Sequence, residues 1–474
     1  MLKNYLYKEL KQNLDFEPTG GQDILLNMLG EYLSASSFNE IFLIKGYAGT
    51  GKTTTVNALV RTLATFKQKS VLLAPTGRAA KVLSSYTASP AFTIHKKIYR
   101  QQSGKDGMGR FVLDRNLHKN TVFIVDEASM IGDRAYESNQ FGSGDLLADL
   151  ISYVESGSDC RLILIGDVAQ LPPVGLEISP ALDKGYLERM GYNIREAYLR
   201  DVVRQALDSG ILKNATDLRQ KLDSDDVGIP EIKIEGFPDI VRLGGAELVE
   251  ELESSYYKYG ESESIVVSRS NKRANKFNMG IRNQILWREE EISVGDLLMI
   301  VKNNYHWVSP EEGLDFIANG DIAKLERIVR YHSMYDHRYA DVIITLPDYK
   351  NLEIEARINL DTLSMDTPSM PADEQKKLFE TIMEDYAEEP DRKKKIKKVI
   401  ENPFFNALQV KFAYAVTCHK AQGGQWKSVF VDPGFFREDM INREYIRWLY
   451  TAFTRASEKL YLVNFPDEFF NSLA

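Results

Sequence analysis

The sequence predicts an α/β protein with two parallel-sheet domains, the first carrying a small hairpin insertion and the second a β-barrel insertion. Three observations point there. Short, continuous apolar runs recur in two groups, with helical segments between them. A glycine-dense loop joins the first of these runs to a helix. The interval 291–330 switches to alternating apolar and polar residues broken by glycine turns.

The first group is "EIFLIKG" (40–46), "SVLLAPT" (70–76), "TVFIVDEAS" (121–129) and "CRLILIGD" (160–167). Unbroken apolar character marks strands covered on both faces, as in a parallel sheet. Helical crossovers between them give right-handed βαβ units and a doubly wound domain. The same texture returns at "ESIVVSRS" (263–270), "FAYAVTCHKAQG" (412–423), "SVFVD" (428–432) and "KLYLVNF" (459–465), a second such domain whose strands flank a long gap. Within the gap, 291–330 reads as a small antiparallel barrel or sheet, continued by strand-like text over 341–358. Residues 371–403 read as two helices broken at Pro390. The basic run from Arg392 to Lys398 is compatible with phosphate binding or with a solvated face beside the acidic stretch Glu384–Glu389. Between the second and third strands, residues 96–120 carry Gly104, Gly107 and Gly109 among strand-forming residues, which predicts a hairpin.

Bulk properties set bounds. A chain of 474 residues has room for roughly three domains, since single cores stop growing near 250 residues. With 43% hydrophobic and 27% charged residues, composition is that of a globular protein. No window approaches the roughly 18 apolar residues of a membrane span, and "MLKNYLYKELKQNLDF" lacks a signal-peptide core. The two cysteines, Cys160 and Cys418, are too few for a disulfide framework or zinc cluster, so a cytoplasmic location is expected. A net charge of −9 excludes a surface coated in positive charge, and confines any nucleic-acid track to a local groove.

The chemistry starts at "GYAGTGKTTT". Gly46, Gly51, Lys52 and Thr53 satisfy G-x-x-x-x-G-K-[ST] between a strand and a helix, with Ala48, Gly49, Thr50 and Thr54 completing the loop. Glycines let backbone N–H groups turn inward around phosphates, and the helix N-terminus adds its positive end. Lys52 is expected to reach the β- and γ-phosphates of ATP, and Thr53 to offer its hydroxyl to Mg²⁺. In "VFIVDEAS", Asp126 closes a strand where open α/β sheets bind ligands and would hold the metal. Glu127 beside it is placed to deprotonate the attacking water, so hydrolysis is expected.

With these motifs in order, the chain resembles superfamily 1B DNA helicases of the RecD/Dda family along nearly its whole length. "EPTGGQD" is similar to the adenine-recognising Q motif, placing Gln22 on the base. "IGDVAQLPPVG" (165–175) resembles motif III, with Gln170 sensing the γ-phosphate. "LRDVVRQ" resembles motif IV and "YTAFTRASEKLYLV" motif VI, giving Arg204 and Arg455 as fingers toward the γ-phosphate. "AYAVTCHKAQGGQW" resembles motif V, with Gly423 at the nucleotide. "APTGRAAKVLS" and "TIHKKI" resemble the first domain's DNA-contact motifs. The resemblance places Pro75, Thr76, Arg78, His95, Pro172 and Pro173 on DNA, together with Thr417, His419 and Lys420 from motif V. The hairpin matches the family's strand-separating pin, where Phe111 or Tyr99 would stack on a base at the fork; packing of Phe111 into the parent domain is the alternative.

The resemblance implies RecA-like domain 1A over 1–95 and 119–203, a pin (1B) over 96–118, RecA-like domain 2A over 204–290 and 406–474, and a Src-homology-3-like insertion with helical extension (2B) over 291–405. It also implies a monomeric ATP- and Mg²⁺-dependent helicase that moves 5′ to 3′ on single-stranded DNA. Forked duplex DNA would be its substrate and replication or recombination proteins its partners. An RNA helicase of related architecture and a nucleotide-dependent switch or scaffold stay open. Stimulation of ATPase activity by DNA, by RNA or by neither separates the three.

Overall fold

The computed structural model describes residues 2–470 except 36–38, 103–109, 133–141, 203–207, 225–227, 309–313 and 315. Two parallel sheets organise the chain. The first has six strands in the order β3-β2-β6-β7-β1-β8. These are β1 (Glu40–Gly46), β2 (Lys69–Ala74), β3 (Ala91–Thr93), β6 (Thr121–Val125), β7 (Arg161–Gly166) and β8 (Asn193–Leu199). Its helices are α1 (Leu2–Gln12), α2 (Gly20–Ser34), α3 (Lys52–Thr65), α4 (Gly77–Thr87), α5 (Ile94–Ile98), α6 (Leu146–Glu155) and α7 (Lys184–Arg189). The unbroken apolar runs have the reason expected of them. Phe42 and Ile44 of β1 pack with Leu25, Leu29, Leu59 and Leu63 on one face. Ile41 and Leu43 pack with Leu147, Leu150 and Ile151 on the other.

Between α5 and β6, strands β4 (Tyr99–Gln102) and β5 (Arg110–Leu113) pair antiparallel, which forms the hairpin; Gly104, Gly107 and Gly109 lie outside the described residues.

The second parallel sheet has the order β16-β10-β17-β18-β9. Its strands are β9 (Ile240–Leu243), β10 (Ser264–Ser268), β16 (Ala415–Thr417), β17 (Trp426–Asp432) and β18 (Ala456–Val463). It carries α8 (Gly210–Asp223), α9 (Leu248–Tyr259), α10 (Asn271–Gln284), α13 (Cys418–Ala421) and α14 (Arg443–Phe453). Inserted between α10 and β16 is a closed five-stranded barrel. It consists of β11 (Leu297–Ile300), β12 (Ile322–Met334), β13 (His337–Leu346), β14 (Leu352–Asn359) and β15 (Leu408–Phe412). The closing strand β15 lies past the expected boundary at 405, because it pairs with both β11 and β14 before the chain re-enters the second sheet. The helical extension is α11 (Ala372–Asp385) and α12 (Arg392–Ile400), broken around Pro390.

The two parallel-sheet domains share a core across their junction. Tyr47, Ala169 and Leu171, from loops of the first sheet, join a cluster with Leu218, Tyr450 and Phe453 of the second domain. Cys160 and Cys418 are buried free thiols. No helix among the described residues is long and apolar enough to cross a membrane.

Candidate nucleotide cleft and nucleic-acid channel

The cleft forms where β1, β6 and β7 end. Gly49 and Gly51 have φ of 73° and 82°, left-handed values that glycine adopts without steric cost, and α3 starts at Lys52. A Cβ on Gly49 would lie 3.1 Å from Leu212 of α8, so the loop runs tight against the second domain. Lys52 Nζ donates to the carbonyls of Gly46 (2.7 Å) and Tyr47 (3.0 Å) and lies 3.6 Å from Asp167 Oδ2. Thr50 Oγ1 donates to Tyr47 O. Ala48, Thr53 and Thr54 complete this loop and the first turn of α3.

Asp126 follows β6. Its Oδ1 accepts from Glu127 N (2.9 Å) and its Oδ2 from the Tyr86 hydroxyl (2.5 Å). The Tyr86 hydroxyl thus holds one of the two side chains assigned to a metal. A carboxylate and a hydroxyl are hard oxygen donors that suit Mg²⁺, which otherwise keeps waters and substrate phosphates. Glu127 has φ of 54°, a strained conformation for a non-glycine residue that concentrates at functional sites. Burial pushes its carboxyl up, against the pull of Arg455 and Lys52.

Gln170 is buried and its Oε1 has no hydrogen-bond partner among the described residues. Arg455 is buried at the domain junction, donating to Thr451 O (3.0 Å), Gly424 O (3.1 Å) and Thr454 Oγ1 (3.3 Å). Arg204 lies outside the described residues.

Three expected positions come out differently. Gln22 is fully buried: its Oε1 accepts from Thr19 N and its Nε2 donates to Thr50 O, so both ends of the amide serve the cap of α2 and the phosphate loop. Contact with adenine would require exchanging one of these bonds. Gly423 faces α4 rather than the phosphate loop; a Cβ there would meet Ala79 at 2.8 Å and Thr76 at 3.2 Å. Phe111 is not on an open fork: it packs into the core of its own domain with Leu147 and Ile151, as the alternative had it, and also against the neighbouring insertion. Its ring centroid is 4.5 Å from that of Tyr305 and 6.2 Å from that of Phe316, both in the insertion that carries the barrel. An aromatic hairpin residue finds apolar cover on the neighbouring insertion, a long-range contact that local pattern does not encode.

A cavity of about 730 Å³ lies between the domains. Pro75, Thr76, Arg78, His95 and Pro173 line it from the first domain, and His419, Lys420 and Gln422 from the second. The barrel side supplies Lys302, Tyr305 and Asn319. Residues gathered from separate motifs therefore share one channel. Pro172 precedes Pro173 in the same loop, and Thr417 caps α13 from the end of β16. The Arg78 guanidinium sits 4.0 Å from the Trp426 ring centroid, and its Nε is buried without a partner among the described residues. Burial pulls the His95 imidazole down to about 4, so it is neutral at physiological pH.

Sequence reasoning passed over two tyrosines that belong to the cleft. Tyr86 was hidden because it lies near the far end of α4 from the motif that opens it. Tyr450 of α14 accepts from Ala48 N (2.8 Å) and donates to Asp167 Oδ2 (2.7 Å), bridging the second domain to the phosphate loop. Its position five residues before Arg455 was the available signal. Nearby, Leu171 N donates to Thr451 Oγ1 (2.8 Å), and Leu171 O accepts from Gln422 Nε2 (2.7 Å).

Fold and site define a P-loop nucleotide-binding protein in which a second parallel-sheet domain closes on the phosphate loop. Residues 32–228 match the family model described as AAA domain, and residues 412–463 match the UvrD-like helicase C-terminal domain. By these matches and the relatives that follow, the chain is similar to the superfamily 1B helicases of the RecD/Dda kind. It is 32% identical to the ATP-dependent RecD2 DNA helicase of Deinococcus radiodurans over 29% of this chain and 16% of that one. It is 26% identical to the ATP-dependent DNA helicase dda of Enterobacteria phage T4 over 54% of this chain and 55% of that one. The chain thus spans only part of the length of both. Among solved structures, the Pif1 helicase from Bacteroides in complex with ADP-AlF3 and single-stranded DNA covers 96% of this chain and 95% of its own at 14% identity, with a TM-score of 0.44.

Proposed function

We propose that this chain is an ATP-dependent DNA helicase that translocates 5′ to 3′ on single-stranded DNA and separates duplex ahead of it. The observation that carries the reading is the short path between cleft and channel. Gln170, in the cleft, is followed by Leu171, whose two backbone groups are held by Thr451 and by the channel-lining Gln422. A change at the nucleotide therefore reaches the strand-gripping wall through one residue.

In this reading the phosphate loop and Lys52 hold the triphosphate, and Glu127 takes a proton from the attacking water. Burial pushes its carboxyl up, which makes it a stronger proton acceptor than an ordinary carboxylate. Thr53 and Asp126 would hold Mg²⁺, which when bound neutralises phosphate charge. Gln170, Arg455 and Arg204 meet the γ-phosphate, and its loss on hydrolysis lets the domains relax. Thr76, Arg78, His95, Thr417, His419 and Lys420 hold the strand by phosphate and sugar contacts that do not read sequence. Polarity comes from the family alone.

The test is unwinding of duplexes bearing a 5′ or a 3′ single-stranded tail, with ATP and Mg²⁺. Unwinding from the 5′ tail only is expected. Unwinding solely from the 3′ tail refutes the polarity, and ATPase stimulated by RNA but not DNA refutes the track.

A further inference from the structure

We infer that helix α12 is a docking site for the phosphates of duplex DNA ahead of the fork, an inference that rests on the DNA-helicase reading. In "RKKKIKKVI", six of nine residues are basic, within a chain whose net charge is −9. The helix is amphipathic in an unusual sense. Val399 is buried against Leu378 and Ile382 of α11, while Lys393, Lys394, Lys397 and Lys398 are exposed. Spacings of three and four place those four lysines in one stripe. Lys397 pairs with Glu401 at 3.7 Å and Lys398 with Glu389 at 2.9 Å. Exposed pairs such as Lys397–Glu401 are worth little and yield readily to a polyanion, whereas the largely covered Glu389 holds Lys398 more firmly.

Position decides which polyanion. Asn406 N donates to Asn402 O (3.1 Å) just beyond the C-terminal end of α12. The Asn406 carbonyl accepts from Asn304 Nδ2 (2.7 Å) and Trp307 Nε1 (2.8 Å). These two residues flank Tyr305, whose ring meets Phe111 of the hairpin at a tilt and lines the channel. Lys302, also in the channel wall, donates to Gln375 of α11 at 2.6 Å. The helical pair is thus bolted beside the place where the hairpin meets the channel, where a duplex must arrive before its strands part. The partner helix α11 carries Asp373, Glu374, Glu380, Glu384 and Asp385 against Lys376 and Lys377, a net negative charge that disfavours phosphate and leaves the α12 stripe as the better face for a duplex. B-form phosphates recur along the groove edges at spacings a lysine stripe can follow without base recognition.

The test compares wild-type protein with the combined variant Lys393→Gln, Lys394→Gln, Lys397→Gln. Fluorescence anisotropy over a salt series measures binding to a single-stranded oligonucleotide and to the same strand carrying a duplex at its 3′ end. Each lost phosphate contact lowers the salt slope on duplex by about 0.9. The variant should therefore lose about 2–3 in slope and roughly tenfold in affinity on the tailed duplex, with the single strand unaffected. Equal losses on both substrates would place the stripe on the single strand and overturn the assignment. Unchanged binding to both would leave the stripe for an acidic protein surface and also overturn it. Wild type that binds neither DNA overturns this inference and the helicase reading together, whereas wild type that binds and unwinds beside an unaltered variant overturns this inference alone. The Lys394→Arg, Lys397→Arg variant, which keeps the charge, should bind the tailed duplex like wild type; if it too loses affinity, the loss reflects a disturbed helix and the assignment falls.

Discussion

Replacing Tyr450 with phenylalanine removes one oxygen and keeps the ring that packs at the domain junction. That oxygen makes two bonds: it accepts from the half-buried Ala48 N at 2.8 Å and donates to the buried Asp167 Oδ2 at 2.7 Å. Asp167 is 1% exposed. Without Tyr450 its Oδ1 keeps the Ala169 N–H at 2.9 Å, while Oδ2 retains only Lys52 at 3.6 Å. A hydrogen bond to a charged group is worth about 1.5–3 kcal/mol, and a half-buried N–H left without its partner costs the low end of about 1–3 kcal/mol. Because Lys52 can move closer and the loop can relax, the lower part of that sum, about 3 kcal/mol, is the expected local loss. Protein of this size need not unfold as one unit, so the proper measure is local opening. Hydrogen exchange at the Ala48 amide in nucleotide-free protein should accelerate about a hundredfold, since 1.4 kcal/mol is tenfold. Amides in the barrel, such as that of Val342 on β13, should be unmoved. An acceleration below about threefold at Ala48 would refute the bridge as a stabilising link.

Glu127→Gln should leave nucleotide binding intact while kcat for ATP hydrolysis falls by about 10²–10⁴; turnover near wild type removes Glu127 from the role of base. Arg455→Ala should lower kcat by about 10³ with nucleotide affinity changed less than tenfold, and a selective loss of affinity in equilibrium binding would assign Arg455 to the ground state instead. A pH effect follows from Asp321. Burial raises its carboxyl to about 7, while Tyr349 donates to it at 2.9 Å and Ala318 N at 2.8 Å. The unfolded value is near 3.8, so the folded state holds the extra proton between the two values. Stability contributed here is therefore lost as pH rises from about 4 to about 7 and is flat above that. Asp321 touches Gly77, where a Cβ would stand 2.5 Å from Oδ1, so hydrogen exchange at the start of α4 should be slower at pH 6 than at pH 8 after correction for intrinsic rates. The reverse order contradicts the sign.

How much of this was legible depended on how local the cause was. The strands of both sheets were readable because burial on two faces leaves an unbroken apolar run, as in β7, where every residue is buried. The phosphate loop was readable because backbone geometry forces its glycines. The break between α11 and α12 was readable from Pro390. What escaped is what depends on contacts between distant segments. Strand β15 closes the barrel by pairing with residues about a hundred positions earlier, and nothing in "LQVKF" distinguishes it from a strand of the following sheet. Phe111 stayed open between the fork and its parent domain because two of its partners, Tyr305 and Phe316, lie some two hundred positions away. Gln22 looked free to meet a base because its bond to Thr50 joins two segments that only the fold brings together.

The same distinction explains why the two tyrosines are informative. Tyr86 stands near the end of α4 whose first turn carries Thr76 and Arg78 in the channel wall, and its hydroxyl reaches Asp126 in the cleft. A helix is stiff over three turns, so a shift of its N-terminal end on strand binding must be felt at Asp126. Tyr450 makes the converse link: it rides on α14 with Thr451, which holds Leu171, and it touches the phosphate loop directly. Nucleotide cleft and channel are therefore joined twice, once within the first domain and once across the junction. A coupling carried by two parallel links predicts that removing either hydroxyl weakens the stimulation of ATP hydrolysis by DNA, and that removing both, in Tyr86→Phe with Tyr450→Phe, costs more than the two single losses combined. Strict additivity in that double-mutant cycle would show that the links act independently.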